Sequence, residues 1–321
     1  VSLFAGCGGS ALGYEMAGFR DVFAVEWDKY AAAAFRANFT ETPVYQGDAA
    51  KLSGEECLRL AGLSAGDLDL LDGSPPCQSF STAGKRRMGD ARGEMFWEYV
   101  RLLRALRPKI FVAENVKGLV FGKMKTVFAE ILRELKASGY VVEARIVNAA
   151  ALGVPQRRER VIFVGAREDL HVRPVFPLPS RKRAVTVREA LAGAESVGPP
   201  LKGGPAALAP VIRPGKLALH SAKRAGRQAT KFYSVRRLDW ERPAWTIVKL
   251  TGQTVGCLIH PEADTLLSIA ACKRLCSFPD EFALPPASFA KRWGVLGNAV
   301  PPLMAEAIAV AVNRGILEKC P

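Results

Sequence analysis

Along the first 167 residues, short apolar runs alternate with stretches of helical periodicity. Val1–Phe4, Phe23–Trp27, Asp69–Asp72 and Ile110–Ala113 have the near-continuous apolar character of strands buried on both faces of a parallel sheet. Between them, Gly93–Leu106 places Phe96, Tyr99, Leu103 and Leu106 at steps of three or four, and Pro108 stops that helix. Phe121–Ser138 repeats the pattern up to Gly139, and Tyr140–Val147 and Val161–Gly165 are two further strand candidates. Repeated strand–helix units predict an α/β doubly wound sheet.

After Arg167 the texture changes. Ten of the 21 prolines fall in Asp169–Pro261, periodicity weakens, and Gly198-Pro199-Pro200 and Gly203-Gly204-Pro205 mark loops. Short strands and turns are expected there. Helical patterning resumes near Leu266–Leu275 and at Pro302–Leu317. The expected organisation is therefore a sheet domain at 1–168 and 262–321, interrupted by a smaller loop-rich module at 169–261.

Composition adds one decisive fact. With 24% charged and 49% hydrophobic residues the chain has a globular profile, which excludes a disordered or fibrous one. Its net charge of +14 favours an anionic partner. That excess is regional: Asp169–Pro261 holds 16 Lys/Arg against 5 Asp/Glu, whereas the other 228 residues hold 29 against 26. The module is thus the expected nucleic-acid grip. Seven scattered cysteines without C-x-x-C fit a reduced, cytoplasmic protein and no metal site. No apolar stretch reads as a membrane span, and the absence of an initiating methionine points to a few residues upstream of Val1.

Five segments carry candidate chemistry. Phe4-Ala5-Gly6-Cys7-Gly8-Gly9 is a glycine turn between a strand and a helix, where backbone can approach a ligand; a plain tight turn is the bland alternative. Its spacing departs from G-x-G-x-x-G, favouring an adenosine cofactor without a pyrophosphate, such as S-adenosylmethionine, over NAD. Glu26 suits a ribose diol, Trp27 an adenine face and Asp48 an adenine amino group. Gly73-Ser74-Pro75-Pro76-Cys77-Gln78 presents a cysteine on a proline-stiffened loop, as a nucleophile or a buried structural thiol. All three histidines lie in the basic module, so no Cys–His pair is expected. Glu114, in Ala113-Glu114-Asn115-Val116, could act as an acid or stand as a surface carboxylate. In Gln156-Arg157-Arg158-Glu159-Arg160, strand alternation places Arg158 and Arg160 on one face, suited to a carbonyl and a carboxylate unless the run is merely solvated. Gly297-Asn298-Ala299-Val300-Pro301-Pro302 reads as the opening of the last helix.

In this order the five segments resemble the DNA cytosine-C5 methyltransferase family, in its bacterial restriction–modification type. Arg92-Gly93 with Phe96, and Leu275-Cys276-Ser277-Phe278-Pro279-Asp280, resemble further family motifs. The resemblance implies a Rossmann-like mixed sheet with helices on both faces and a target recognition domain at 169–261. It implies Cys77 as nucleophile on C6 of a flipped-out cytosine in duplex DNA, and Glu114 at N3. Arg160 then holds O2 and Arg158 orients the pocket. It implies S-adenosylmethionine held by Phe4, Gly6, Gly8, Glu26, Trp27, Asp48, Pro76, Asn298 and Val300. Arg181, Lys182, Arg183, Lys223, Arg224, Arg227, Arg236 and Arg237 are the phosphate candidates. A monomer is expected, in a system that can include a cognate restriction endonuclease without a stable complex between the two. A tRNA cytosine-C5 methyltransferase and a non-catalytic DNA-binding relative are the alternatives. Two departures concern packing: Cys276 stands where the family has glutamine, and Thr265 and Ala270-Ala271 where it has Arg and Glu.

Overall fold

Seven strands hydrogen-bond side by side in a computed structural model that describes residues 1–76, 94–180, 183–224, 235–250 and 257–319. They are β1 (Ser2–Leu3), β2 (Ala24–Glu26), β3 (Val44–Gln46), β4 (Leu70–Gly73), β5 (Ile110–Val116), β6 (Tyr140–Asn148) and, beyond the two-residue β7 (Gln156–Arg157), β8 (Glu159–Arg167). Their order is β3-β2-β1-β4-β5-β8-β6. The first five run parallel and β8 is antiparallel to both β5 and β6, so the sheet is mixed. This is the α/β architecture expected from the alternating pattern.

Strand alternation explains why the segments read as continuous apolar runs. Leu71, Phe111, Ala113, Val161 and Phe163 point to one face and Leu70, Ile110, Val112, Ile162 and Val164 to the other; all are buried. On the first face the core takes in Phe96, Tyr99, Leu103 and Leu106 of helix Glu94–Leu106, and Ile131 and Leu135 of helix Lys125–Lys136. The helix Gly9–Met16 is tied to β4 by Tyr14, whose hydroxyl donates to the Asp72 carboxylate at 2.9 Å. Burial pushes that carboxyl up to about 6.

Chain packing divides the protein into two units. The first is Val1–Asn148, Glu159–Leu178 and Ala305–Pro321; the second is Ala149–Arg158 and Pro179–Met304. Division by composition and division by packing part in three places: Ala149–Arg158 and 262–304 pack with the loop-rich segment, and 169–178 pack with the first unit. For the first two the reason is strand pairing. β7 takes Ala244–Trp245 as its partner, and Thr265–Leu267 pairs with both Leu258–Ile259 and Val197–Pro200. The second unit has strands of two to four residues and its own small core of Leu208, Ala209, Ile212, Ala218, Val235, Cys257 and Ile259.

One expectation needs correction here. Gly297-Asn298 does not open the last helix; it closes the helix Phe289–Asn298, and the last helix begins at Pro302. A side-chain carbon at Gly297 would collide with the Val248 carbonyl, which accounts for the glycine. Phe289–Lys319 is apolar and long enough by composition to cross a membrane. It is nevertheless two helices separated at Ala299–Pro301, and Trp293, Leu296, Met304, Ile308 and Val312 are buried in the protein.

Candidate active site

The order β3-β2-β1-β4-β5 reverses direction between β1 and β4, and the carboxyl edge at such a switch point is where open α/β sheets bind ligands. Register aligns the strand ends there. Tyr45, Val25, Leu3, Gly73, Ala113 and Phe163 form one row across the sheet. Just past that row lie Asp48, Glu26 with Trp27, the Phe4–Gly8 turn, Pro75-Pro76, Glu114 and Arg160. The sheet thus gathers at one edge residues that are up to 156 positions apart in the chain.

Each is positioned by identifiable local chemistry. Phe4, Gly6 and Gly8 all have positive φ (56°, 58° and 93°), and a substituent on Gly8 would strike the Phe39 ring. Among the described residues nothing lies within 4 Å of where a Gly6 side chain would begin, which leaves the backbone there accessible to a ligand. The Gly6 and Asp28 N–H groups each donate to Glu26, both at 2.7 Å, one to each carboxylate oxygen. Burial raises the Glu26 pKa while those hydrogen bonds oppose the rise. Each oxygen retains acceptor capacity for a hydroxyl. The Trp27 side chain beside it is 76% exposed, an indole face with no core role. Asp48 caps a 3-10 turn, accepting from the Ala50 N–H at 3.0 Å.

At the β4–β5 end, Asn115 Nδ2 donates to the Pro75 carbonyl at 3.2 Å, tying the proline arm to the strand that carries Glu114. Asn115 was not singled out from sequence, though it stands next to the candidate acid. Glu114 and Arg160 project from the same sheet face, because Val116 pairs with Arg160 and lies two residues from Glu114. Arg160 Nε forms an ion pair with Glu114 Oε1, each side chain 13% exposed. A carboxylate and a guanidinium locked together this way offer one acidic or accepting group and one donor fork to a planar polar ring. Cys77 lies outside the described residues, as do Arg181, Lys182 and Arg227 and the Arg224 side chain.

The remaining candidates belong to the second unit. Arg158 falls in the break between β7 and β8, where its N–H turns back to the Gln156 carbonyl, so alternation does not carry from it to Arg160. It is 2% exposed and donates to the Ile247 and Gly297 carbonyls at 3.0 and 3.1 Å and to that of Asn298 at 3.5 Å. Arg158 therefore holds the Asn298 segment, from which Val300 follows. Gln156 acts alongside it, donating to the Leu275 carbonyl and accepting from the Ile247 N–H at 3.2 and 3.1 Å. Cys276 receives a Gln156 amide hydrogen at 3.4 Å, so the thiol takes part in the polar bridge at this departure from the family pattern.

The phosphate candidates divide. Lys223 is exposed. Arg183 is exposed but bidentate with Glu189 at 2.7 and 2.9 Å, and that pairing pulls the Glu189 carboxyl down to about 2. Arg237 is removed from the set: it is 5% exposed and donates to the carbonyls of Ala209, Ile212, His260 and Ala263 and to Asp264. It is a cross-link. Arg237→Ala should lower the unfolding free energy by about 3 kcal/mol in denaturant melts, because buried carbonyls lose their donor. A DNA-binding defect at unaltered stability would show the opposite role.

A sheet of this order, with a glycine turn, a proline arm and an acid–arginine pair at its switch-point edge, defines a methyltransferase-type α/β enzyme. Residues 1–196 and 211–314 match the family of C-5 cytosine-specific DNA methylases, and the chain belongs to that family. It is similar to the Type II methyltransferase M.FnuDI of Fusobacterium nucleatum, with 32% identity covering 99% of this chain and 95% of that one. It is also similar to M.NgoPII of Neisseria gonorrhoeae, with 31% identity covering 98% and 95%. Among solved structures it resembles a prophage-encoded DNA modification methyltransferase of E. coli, with 25% identity, a TM-score of 0.76 and 99% and 98% coverage. The protein is a DNA cytosine-5 methyltransferase of the restriction–modification type.

Proposed function

We propose that the enzyme transfers a methyl group from S-adenosylmethionine to C5 of a flipped-out cytosine in a specific duplex DNA sequence, through a covalent Cys77–C6 adduct. The observation that carries this reading is the Glu114–Arg160 pair at the same sheet edge as the Gly6–Glu26 cradle and the Pro75-Pro76 arm. The cofactor residues fit an adenosine. Glu26 is oriented by two backbone N–H groups toward a diol, Trp27 offers a stacking face, and no described residue covers Gly6. When bound, S-adenosylmethionine supplies an electrophilic methyl group. Phe4, Gly8, Asp48 and Pro76 complete the set on the sheet.

Cytosine C5 is a weak nucleophile until C6 is attacked. The Cys77 thiolate adds to C6, and the electron density driven onto the ring is received at N3 by a proton or hydrogen bond from Glu114. Arg160 donates to O2 and holds Glu114 in place; Arg158 acts indirectly, by fixing the segment that carries Asn298. After transfer, water takes the C5 proton and Glu114 retakes the proton at N3; the C5–H electron pair re-forms the C5–C6 double bond and expels Cys77 as the thiolate. Reaching C6 requires the base to leave the stack, and the basic segment at 169–261 supplies phosphate and base-edge contacts for this. The enzyme acts as a monomer in the cytoplasm, beside a cognate restriction endonuclease.

Bisulfite sequencing of DNA from cells expressing the protein, with labelled methyl transfer to duplex DNA and tRNA in parallel, tests the reading. Protected cytosines at one recurring sequence are expected. Uniform conversion of all cytosines, or transfer to tRNA alone, would overturn it.

A further inference from the structure

In the second unit, Trp245 has two guanidiniums against its ring. The Arg236 guanidinium carbon lies 4.1 Å from the ring centroid and that of Arg157 lies 5.9 Å away. The arrangement follows from strand pairing. Trp245 is the register partner of Arg157, whose neighbour Gln156 is fully buried, so alternation turns Arg157 outward. Thr246 Oγ1 donates to the Arg157 carbonyl at 2.6 Å and pins the pair.

Charge pairing is uneven among the arginines of this unit. Arg183, Arg188, Arg242 and Arg274 of the same unit each have a carboxylate partner. Among the described residues, Arg157 and Arg236 have none. Arg236 is half-buried as well, and burial alone lowers its pKa. A half-buried cation without a counter-charge is expensive, and an indole face offsets only part of that. What the pair lacks is an anion, and the two distances to one ring keep both guanidiniums within reach of a single stretch of backbone.

Resting on the DNA-methylating reading above, we propose that Arg157 and Arg236, held against Trp245, form a clip for the phosphodiester backbone of the substrate duplex. Trp245 is the positioning residue: it restricts both guanidinium planes before DNA arrives, so less side-chain freedom is lost on binding. The clip fixes the register of the duplex and reads no sequence.

The test measures DNA affinity over a salt series by fluorescence anisotropy, on a duplex that the wild type methylates and on a scrambled one. R157A and R236A are each expected to weaken binding to both duplexes by about tenfold. Each should also reduce the slope of log affinity against log salt by about one. R157K and R236K should keep the wild-type slope. W245A should weaken binding about threefold and W245F should restore it. Unaltered slopes in R157A and R236A, with wild-type methyl transfer intact, overturn the clip alone. A loss confined to the methylated sequence would make these base contacts and overturn it too. Wild-type binding that ignores salt would overturn the DNA reading and the clip with it.

Discussion

Cys77→Ser is expected to reduce methyl transfer by on the order of 10⁴-fold or more, as loss of a covalent nucleophile does, while S-adenosylmethionine binds with unaltered affinity. The separation follows from where the groups stand. The proposed cofactor cradle, Gly6 with Glu26, stands at the ends of β1 and β2, whereas the cysteine follows the arm at the end of β4. Serine has almost the same volume, so the arm should keep its tie from Asn115 to Pro75. A serine hydroxyl requires a general base to become a nucleophile. The buried His260 cannot serve, because Nε2 meets the Ser196 hydroxyl and Nδ1 accepts two backbone N–H groups. Two measurements check this: single-turnover transfer of labelled methyl, and trapping of a denaturation-resistant complex on duplex DNA containing 5-fluorocytosine. Wild type should form the complex and the variant should not. Methylation by the serine variant at near wild-type rate would sink the covalent mechanism.

The sheet was legible because its central strands are buried on both faces, which leaves an apolar run whose ends the structure moves by three residues or fewer. β3 was harder to see. Val44–Gln46 is a three-residue edge strand ending in an exposed polar residue, and neither periodicity nor an apolar run marks it. The glycine turn was legible because it depends on local geometry: it needs positive φ, and glycine advertises that. The site was not legible where function depends on distant partners. Arg237 and Arg236 are adjacent and chemically identical in sequence. One is consumed by carbonyls from 209–212 and 260–263, and the other rests on Trp245. A run of basic residues reports charge without reporting which donors are already taken. Arg158 and Arg160 show the same limit, since the break between β7 and β8 sends one into the polar bridge of the second unit and leaves the other beside Glu114.

Glu114→Gln should lower kcat by roughly 10²- to 10⁴-fold with little change in S-adenosylmethionine affinity, the range for removing a positioned acid. Glutamine keeps the length of the side chain and one carbonyl oxygen toward Arg160. What it loses is the charge and the ability to give and retake a proton at N3. Because the missing interaction is made as electron density reaches the ring, the loss should fall on kcat more than on KM for DNA. Adduct formation with 5-fluorocytosine DNA should slow in parallel, which separates a role in the attack on C6 from one in product release. The ion pair adds a second signature. Arg160 and Glu114 act as a unit, so the Arg160→Ala and Glu114→Gln losses should combine to far less than their product. A Glu114→Gln enzyme within tenfold of wild type would mean that N3 is served by another group, and a fully multiplicative double variant would mean that the two side chains act on different steps.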